Sequence, residues 1–368
     1  MNIRHFKLER YFAKYEFSAK YLLSSSDCDP LSQKEVLSMA SNELLSKWER
    51  VTLGYSESRG DSFLLKEISK LYKNIADENV VIGAPQELIL LAIISILKRN
   101  DDIIVTYPAY QSLYSLAEDI GCKVRYWTYA NNQFDINDLK IMIEKRVPRL
   151  LIINFPHNPT GFTPKISQIH EIIELCRKND ILILSDEMYR FLETDEIYKL
   201  PAISDIYENG ISLCGLSKSF SLPGLRTGWL VSRRVDVIEK ILEMKDFTTI
   251  CQPSNNAILS IIALQNRENI IRRNKSIILE NVNYVEQVVK NYSVLNWLKP
   301  LSGPITLLSI DYYKGIDHFT KELVDRKSVM LLPITVYDFV GNSVRLGLGR
   351  KNFIEGFKLF EEFLNEVF

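Results

Sequence analysis

Several residue types that would indicate particular classes of protein are scarce in this sequence. Its 368 residues include only 4 histidines and 5 cysteines, and no two cysteines form a CxxC pair. Histidine and cysteine are the usual ligands of structural zinc, so no metal site is expected. The cysteines are odd in number and widely spaced, which favours reduced thiols in a cytoplasmic protein over a disulfide framework.

The chain has neither an excess of charge of one sign nor a long apolar run. Lys plus Arg total 45 and Asp plus Glu total 46, whereas a nucleic-acid binder normally carries a basic excess. The longest apolar run, residues 88–97, is shorter than the roughly 20 residues that cross a bilayer. The first residues also lack the apolar core of a secretory signal. We therefore expect no nucleic-acid partner, no membrane association and a cytoplasmic location.

Short apolar runs alternate with helical stretches through the middle of the chain. A continuous apolar run is typical of a strand that is buried on both faces, and helices such as the one predicted over residues 166–178 separate the runs. This alternation predicts an α/β fold with a mostly parallel central sheet. The predicted strands cover residues 103–105, 124–127, 150–154, 181–184, 211–214 and 229–232.

The pattern changes after Cys251. Residues 255–289 are periodic and free of glycine, which predicts one long helix or two. The remainder of the chain is typical of a smaller α+β unit that ends in an amphipathic helix. We therefore predict a large domain over residues 42–270 and a small domain formed by residues 1–41 and 271–368. The short strands predicted in the small domain cover residues 306–310, 328–332 and 343–346.

Three polar clusters follow predicted strands, which is where open α/β sheets place their ligands. The first, NFPHNPTG, is on its own only a turn sequence. The second, SDEMY, contains Asp186, which could equally cap a helix. The third, GLSKSFSLPGLRTGW, contains Lys218 and Arg226. Together an acid, a lysine and an arginine can hold a phosphorylated pyridine aldehyde: the amine forms an imine, the carboxylate keeps the ring nitrogen protonated and the guanidinium pairs with phosphate.

In this order the motifs resemble those of the class I and II aminotransferases of fold type I, which use pyridoxal 5′-phosphate. The stretch Asn158-Pro159-Thr160-Gly161 is similar to the family's NPTG motif. The resemblance implies that Asn158 and Tyr189 hydrogen-bond O3′ of the cofactor and that Asp186 faces its ring nitrogen. Lys218 matches the lysine that forms the Schiff base. The fold implied is a large domain with a mostly parallel central sheet and a smaller α+β domain.

The resemblance also implies a site for the cofactor phosphate. Arg226 matches the arginine that binds it, and Ser217, next to Lys218, is also assigned to the cofactor. Gly83, Ala84 and Pro85, in the stretch VVIGAPQEL, match the phosphate loop at the start of a helix. Backbone N–H groups at a helix N-terminus favour an anion.

Further matches concern the ring, the substrate and a second subunit. Tyr110, in TYPAY, resembles the aromatic residue that stacks on the pyridine ring. Arg345, in VRLG, resembles the arginine that binds the substrate α-carboxylate, and we also assign Asn158 and Ser25 to the substrate. Tyr55, in GYSESRG, resembles the tyrosine that reaches the phosphate of the partner subunit. The last match implies a homodimer.

The sequence departs from the family pattern in four places. Gly215 stands where many members have a phosphate-binding serine or threonine, and Pro85 removes one backbone N–H from the phosphate loop. Residues 333–336 (PITV) replace the common PGxxF stretch, and residues 24–27 (SSSD) replace Gly-Glu-Pro. The last segment normally touches the substrate, so the sequence leaves the substrate side chain open.

The resemblance implies an aminotransferase that moves an amino group between an L-amino acid and a 2-oxo acid. The departures, with HNPTG, LPGLRTGW and VRLGLGR, also resemble the capreomycidine synthase subgroup, which eliminates and cyclises without net transamination. A pyridoxal-phosphate-dependent lyase or cyclase is therefore the alternative. A ligand-binding regulator without catalysis is disfavoured because Lys218, Asp186 and Arg345 are all present. Asp27 and Asp29 lead to the further hypothesis of a basic substrate side chain.

Overall fold

The structure is a computed structural model and describes residues 4–368. The α-helices in this range are α1 Lys7–Tyr15, α2 Gln33–Ser38, α3 Asn42–Glu49, α4 Ser62–Ser69, α5 Pro85–Ile96, α6 Ser115–Ile120, α7 Ile136–Lys145, α8 Ile166–Lys178, α9 Ile203–Ile206, α10 Val235–Lys245, α11 Ser254–Gln265, α12 Arg267–Val288, α13 Ile316–Lys327 and α14 Phe353–Val367. The β-strands are β1 Tyr21–Leu22, β2 Val80–Gly83, β3 Asp102–Tyr107, β4 Lys123–Thr128, β5 Leu150–Asn154, β6 Leu182–Asp186, β7 Gly210–Gly215, β8 Gly228–Ser232, β9 Leu295–Trp297, β10 Ile305–Ile310, β11 Val329–Met330, β12 Leu332–Pro333 and β13 Ser343–Gly347.

The main sheet has seven strands in the order β2-β8-β7-β6-β5-β3-β4. Neighbouring strands from β7 to β4 run parallel, whereas β8 is antiparallel to both of its neighbours. The predicted α/β fold with a mostly parallel sheet is therefore confirmed. The sequence analysis missed β2, because its four residues precede the phosphate-loop motif and were assigned to that loop.

Helices cover both faces of this sheet, which explains why its inner strands, such as β5, are apolar on both faces. Successive side chains of a strand point to opposite faces. Ile103 and Val105 accordingly pack with α5 and α10 on one face. Ile104, between them, packs with α7 and α8 on the other face.

The second sheet has four antiparallel strands in the order β12-β13-β10-β9. Leu308 of β10 and Val344 of β13 share a buried core with Val282 of α12 and with Phe319 and Phe357 of the last two helices. The helical stretch predicted over residues 255–289 consists of two helices, α11 and α12, which are separated at Asn266.

The N-terminal segment contacts both parts of the molecule. β1 pairs with β11 next to the second sheet, whereas Val36 of α2 is buried with Leu64 of α4 and Trp229 of β8. The domain boundaries given above therefore stay a prediction. In the range 4–368 no helix is long and apolar enough to cross a membrane.

Candidate active site

A cavity of about 370 Å³ lies at the carboxyl ends of β5, β6 and β7 and is covered by α1. It brings together ten of the residues assigned from the sequence, namely Ser25, Pro85, Tyr110, Asn158, Asp186, Tyr189, Ser217, Lys218, Arg226 and Arg345. The other residues that line it are Leu8, Glu9, Phe12, Glu16, Ser26, Asp27, Gln86, Ile89, Met188, Leu213 and Pro223.

Strand register places the polar clusters side by side. Asn154, the last residue of β5, is level with Asp186, the last residue of β6. The Asn154 side-chain amide donates to the Asp186 carbonyl oxygen at 2.9 Å, and its Oδ1 accepts from the backbone N–H of Asn158 at 2.7 Å. The turn after β5 is thereby fixed to the end of β6, and Asn158 and Asp186 face the same cavity.

Lys218 follows β7, and its partly buried side chain lines the cavity. Its Nζ donates a hydrogen bond to Ser26 Oγ at 2.9 Å. Burial lowers the pKa of Lys218, the Asp27 carboxylate opposes that change, and the Arg345 guanidinium adds to it. A lysine with a lowered pKa is more often neutral, which suits it to attack a carbonyl carbon or to accept a proton.

Asp186 and Tyr189 have little exposure to solvent. Burial raises the pKa of Asp186 to about 6, while a hydrogen bond from the Met188 backbone N–H at 3.1 Å acts in the opposite direction. A cation placed against this carboxylate would favour its ionised form. Burial also raises the pKa of Tyr189, so its hydroxyl stays protonated and can donate a hydrogen bond.

Arg345 is buried and its guanidinium is held by three groups. Its Nε and Nη2 both donate to the Ser24 carbonyl oxygen, at 3.1 and 2.7 Å. Its Nη1 donates to the Tyr337 hydroxyl at 2.6 Å and to Asn158 Oδ1 at 3.3 Å. The Tyr337 hydroxyl in turn donates to Asn158 Oδ1 at 2.9 Å. These bonds fix the orientation of the guanidinium against the cavity.

The sequence analysis did not single out Tyr337. It follows directly after the stretch that replaces the family's PGxxF, and this departure is the one signal that could have drawn attention to it.

One side of the cavity suits an anion. Ser217 is 5% exposed, and its hydroxyl has no hydrogen-bond partner within the described residues. The N-terminus of α5 presents Pro85 and Gln86 to the same cavity, together with Arg226. An unpartnered hydroxyl, the positive end of a helix and a guanidinium are the groups that bind phosphate. The residues present therefore fit pyridoxal 5′-phosphate, the cofactor that the resemblance implies.

Two departures from the family pattern have a common structural reason. Pro85 is the first residue of α5, where the missing N–H breaks no helical hydrogen bond. Its ring packs against two paired glycines: a Cβ on Gly228 would lie 2.7 Å from the ring, and one on Gly215 would lie 2.9 Å from the Gly228 Cα. A serine or threonine at position 215 would therefore overlap with backbone atoms.

Three residues assigned from the sequence do not line the cavity. Gly83 is buried at the end of β2, where it pairs with Gly228. Ala84 is the residue before the first turn of α5. Tyr55 is 91% exposed on the surface.

The N-terminal helix contributes residues that the sequence analysis missed. Leu8, Glu9 and Phe12 of α1 line the cavity, and Glu16 follows at the end of the helix. The Tyr110 hydroxyl donates to Glu9 Oε1 at 2.7 Å. The sequence offers no signal for these roles, because they depend on where α1 packs.

Only one of the two acids on which the hypothesis of a basic substrate side chain rests lies in the cavity. Asp27 lines the cavity and forms an ion pair with Arg350 at 2.9 Å. Asp29 does not line it and instead pairs with Arg273 at 3.3 Å.

Comparisons with known proteins agree with this geometry. A family model described as aminotransferase class I and II matches residues 18–352. Capreomycidine synthase of Streptomyces vinaceus is 25% identical over 270 residues, which are 72% of this chain and 67% of that protein. Aspartate aminotransferase of Thermococcus kodakarensis is 22% identical over 328 residues, covering 87% of this chain and 83% of its own length.

Solved structures share the fold over the whole chain. A PLP-dependent aminotransferase from Streptococcus suis superposes with a TM-score of 0.94 and 25% identity, covering 100% of this chain and 99% of its own. The PLP-dependent cyclase OrfR superposes with a TM-score of 0.91 and 21% identity, covering 100% and 98%.

Proposed function

This chain belongs to the class I and II aminotransferase family, and on that premise we propose that Lys218 is the residue that carries its cofactor as a Schiff base. Family membership confirms the predicted fold type, the predicted enzyme class and pyridoxal 5′-phosphate as the predicted cofactor. The enzyme accordingly moves an amino group between an amino acid and a 2-oxo acid. The observation that carries the assignment of Lys218 is its position in one cavity with Asp186, Asn158 and Arg345.

When bound, the cofactor supplies an aldehyde that takes up the amino group and a protonated ring that withdraws electrons from the substrate Cα. Asp186 would hold the ring nitrogen, and Asn158 and Tyr189 would hold O3′. Tyr110 would lie against the ring. These positions agree with the lining of the cavity.

The phosphate would lie against Ser217, Arg226 and the first turn of α5. Arg345 would bind the substrate α-carboxylate through its charge and the one guanidinium N–H, on Nη2, that no group within residues 4–368 occupies. Its orientation is fixed by Ser24 and Tyr337 before any ligand arrives. Such preorganisation is favourable because little ordering remains to be done on binding.

The chain's own base is Lys218. Because burial lowers the pKa of Lys218, its free amine would more often be neutral. A neutral Nζ would accept the proton that leaves the substrate Cα. The Ser26 hydroxyl, which Nζ contacts at 2.9 Å, orients the amine. Leu8 and Phe12 of α1 exclude water from one side of the cavity.

We further propose a cytoplasmic homodimer. Leu53, Tyr55 and Phe247 are strongly exposed. The two segments that carry them are adjacent, since Ser56 Oγ donates to the Gln252 carbonyl oxygen at 2.6 Å. Exposed apolar groups on neighbouring segments favour a protein interface. Sedimentation of the purified protein should give twice the mass of the chain, and a monomer at micromolar concentration would contradict the proposal.

A lyase or cyclase activity is the second candidate. It is favoured by the similarity to capreomycidine synthase over 72% of the chain. The same residues would bind the cofactor, and Lys218 would take the Cα proton. The electron pair of the Cα–H bond would then form a Cα=Cβ bond, and the group on Cβ would leave with the electron pair of its own bond.

An absorbance spectrum distinguishes the two candidates. The cofactor-loaded protein is recorded before and after amino acids are added without any 2-oxo acid. Transamination predicts one equivalent of 2-oxo acid per site and then no further change until an acceptor is supplied. Continuous turnover without an acceptor would instead indicate elimination or cyclisation. A spectrum without a Schiff-base band, even with cofactor supplied, would contradict the assignment of Lys218.

A further inference from the structure

The cavity carries a group of carboxylates that the proposed chemistry does not use. Glu9 and Glu16 come from α1 and its C-terminal end, and Asp27 comes from the segment that follows β1. Within residues 4–368 neither Glu9 nor Glu16 forms a salt bridge, and Glu9 accepts only the Tyr110 hydroxyl. Asp27 has a cationic partner, Arg350, at 2.9 Å. Glu9 and Glu16 therefore have no ion-pair partner among the described residues, although the charges of Arg350 and Lys218 oppose the rise that burial causes in the pKa of Glu16.

The pKa of Glu16 shows how the neighbouring carboxylates act on one another. The pKa of Glu16 is raised first by burial and then by the charges of Asp27 and Glu9. Carboxylates that are partly buried beside one another are unfavourable unless a cation approaches them. A ligand that brings a cation into the cavity would therefore stabilise the ionised forms of these carboxylates.

Other residues already account for the groups that every substrate of this enzyme class shares. Arg345 suits the α-carboxylate, and Asp186 suits the ring nitrogen of the cofactor. Ser217, whose buried hydroxyl has no partner among the described residues, shows that the same cavity is built for a ligand. Glu9 and Glu16 have no cationic partner among the described residues, and the substrate side chain is the one part of the substrate to which no residue has been assigned.

We propose that Glu9, Glu16 and Asp27 bind a cation at the end of the substrate side chain, so that the substrate is an amino acid with a guanidinium or ammonium side chain. This inference rests on the proposed function, because it requires that the cavity binds an amino acid through Arg345. Guanidinium and ammonium groups form charge-assisted hydrogen bonds with carboxylates, and a guanidinium can do so in bidentate fashion. Amino acids with acidic side chains are repelled by the same group.

A pair of ligands that differ in charge but hardly in shape tests the inference. L-arginine ends in a guanidinium, and L-citrulline ends in a neutral urea of nearly the same size. The cofactor-loaded protein is titrated with each, and the change in cofactor absorbance gives the half-saturating concentration. We expect L-arginine to bind at least about tenfold more tightly, since hydrogen bonds between charged groups are roughly twice as strong as neutral ones.

Glu9→Gln and Glu16→Gln should each reduce the ratio of the half-saturating concentration of L-citrulline to that of L-arginine. The reduction should come from weaker binding of L-arginine, with the binding of L-citrulline unchanged. Glu49→Gln is the matched control, because Glu49 is exposed at the end of α3 and does not line the cavity. Its ratio should equal that of the wild-type protein.

The outcomes separate this inference from the proposed function. Equal affinities for both ligands in the wild-type protein would overturn the inference and leave the proposed function intact. An equal loss of both ligands in Glu16→Gln would also overturn it, since the carboxylate would then act on the shape of the cavity. If no amino acid changes the spectrum, the proposed function itself is wrong, and the inference fails with it.

Discussion

Removal of the Tyr337 hydroxyl tests whether Tyr337 holds the Arg345 guanidinium in position for the substrate α-carboxylate. Tyr337 does not line the cavity, yet its hydroxyl contacts Arg345 at 2.6 Å and Asn158 at 2.9 Å. In Tyr337→Phe the Arg345 guanidinium keeps its bonds to the Ser24 carbonyl oxygen but loses its firmest contact on the other side.

The size of the effect follows from the bond that is lost. A hydrogen bond to a charged group contributes about 1.5–3 kcal/mol, which corresponds to a loss of roughly 10- to 150-fold in kcat/KM. The loss should lie mainly in KM for the amino acid, because Arg345 binds the substrate and does not take part in proton transfer. Affinity for the cofactor should fall less than affinity for the amino acid, because Asn158, which Tyr337 also contacts, is only one of several residues that would hold the cofactor.

Tyr107→Phe is the matched control. The Tyr107 hydroxyl donates to the backbone carbonyl oxygens of Tyr337 and Asp338, at 3.0 and 2.7 Å. It therefore supports the same segment without touching Arg345. Steady-state kinetics with a fixed 2-oxo acid, together with cofactor titrations, should separate the two variants. A wild-type kcat/KM in Tyr337→Phe, or an equal loss in both variants, would refute the reasoning.

Three further predictions concern the cofactor site. Lys218→Ala should lower the rate of 2-oxo acid formation more than about 1000-fold, and normal activity in this variant would contradict the Schiff-base assignment. Gly215→Ser should lower the free energy of unfolding by about 1–3 kcal/mol through overpacking. In urea unfolding Gly224→Ser, where an added Cβ meets nothing within 4 Å, should be neutral by comparison. Because burial raises the pKa of Asp186 to about 6 in the folded protein, its ionised form opposes folding above that pH. The cofactor-free Asp186→Asn variant should therefore exceed the wild-type protein in stability at pH 7, by up to about 3 kcal/mol, and the gap should close towards pH 4. Burial lowers the pKa of His157 to about 3, so His157 changes the stability of both proteins with pH in the opposite direction. This contribution cancels in the difference between their free energies of unfolding. A difference that stays constant with pH would contradict the prediction.

The central sheet could be predicted from the sequence because its strands are apolar on both faces. β5 begins and ends at the residues predicted for it, and the neighbouring parallel strands differ by one or two residues at their ends. The clusters that contain Asn158, Asp186 and Lys218 could be located for a related reason: each lies at or just after the end of a strand of the same parallel sheet, and parallel strands bring their carboxyl ends to one edge. The roles of these three residues rest on the family resemblance and stay a prediction.

The remaining wall of the cavity could not be predicted in this way. Glu9 and Glu16 belong to a helix whose own sequence shows only that it is amphipathic, and its place over the cavity depends on contacts with distant segments. Tyr337 likewise acts through a hydroxyl that meets Arg345 only after β12 and β13 have paired. Such positions are set by tertiary packing, and a local sequence pattern does not predict them.

The placement of α1 has a consequence for the order in which the active site is completed. The backbone N–H of Lys7 donates to the Gln111 side chain at 2.9 Å, and its amine pairs with Asp338, 331 residues further along the chain. During synthesis the first helix thus emerges long before the partners that hold it, and contacts over such separations form late in folding. α1 can therefore cover the cofactor cavity only after nearly the whole chain has been synthesised. A fusion attached to the N-terminus would therefore act on substrate binding before it acted on the stability of the sheet.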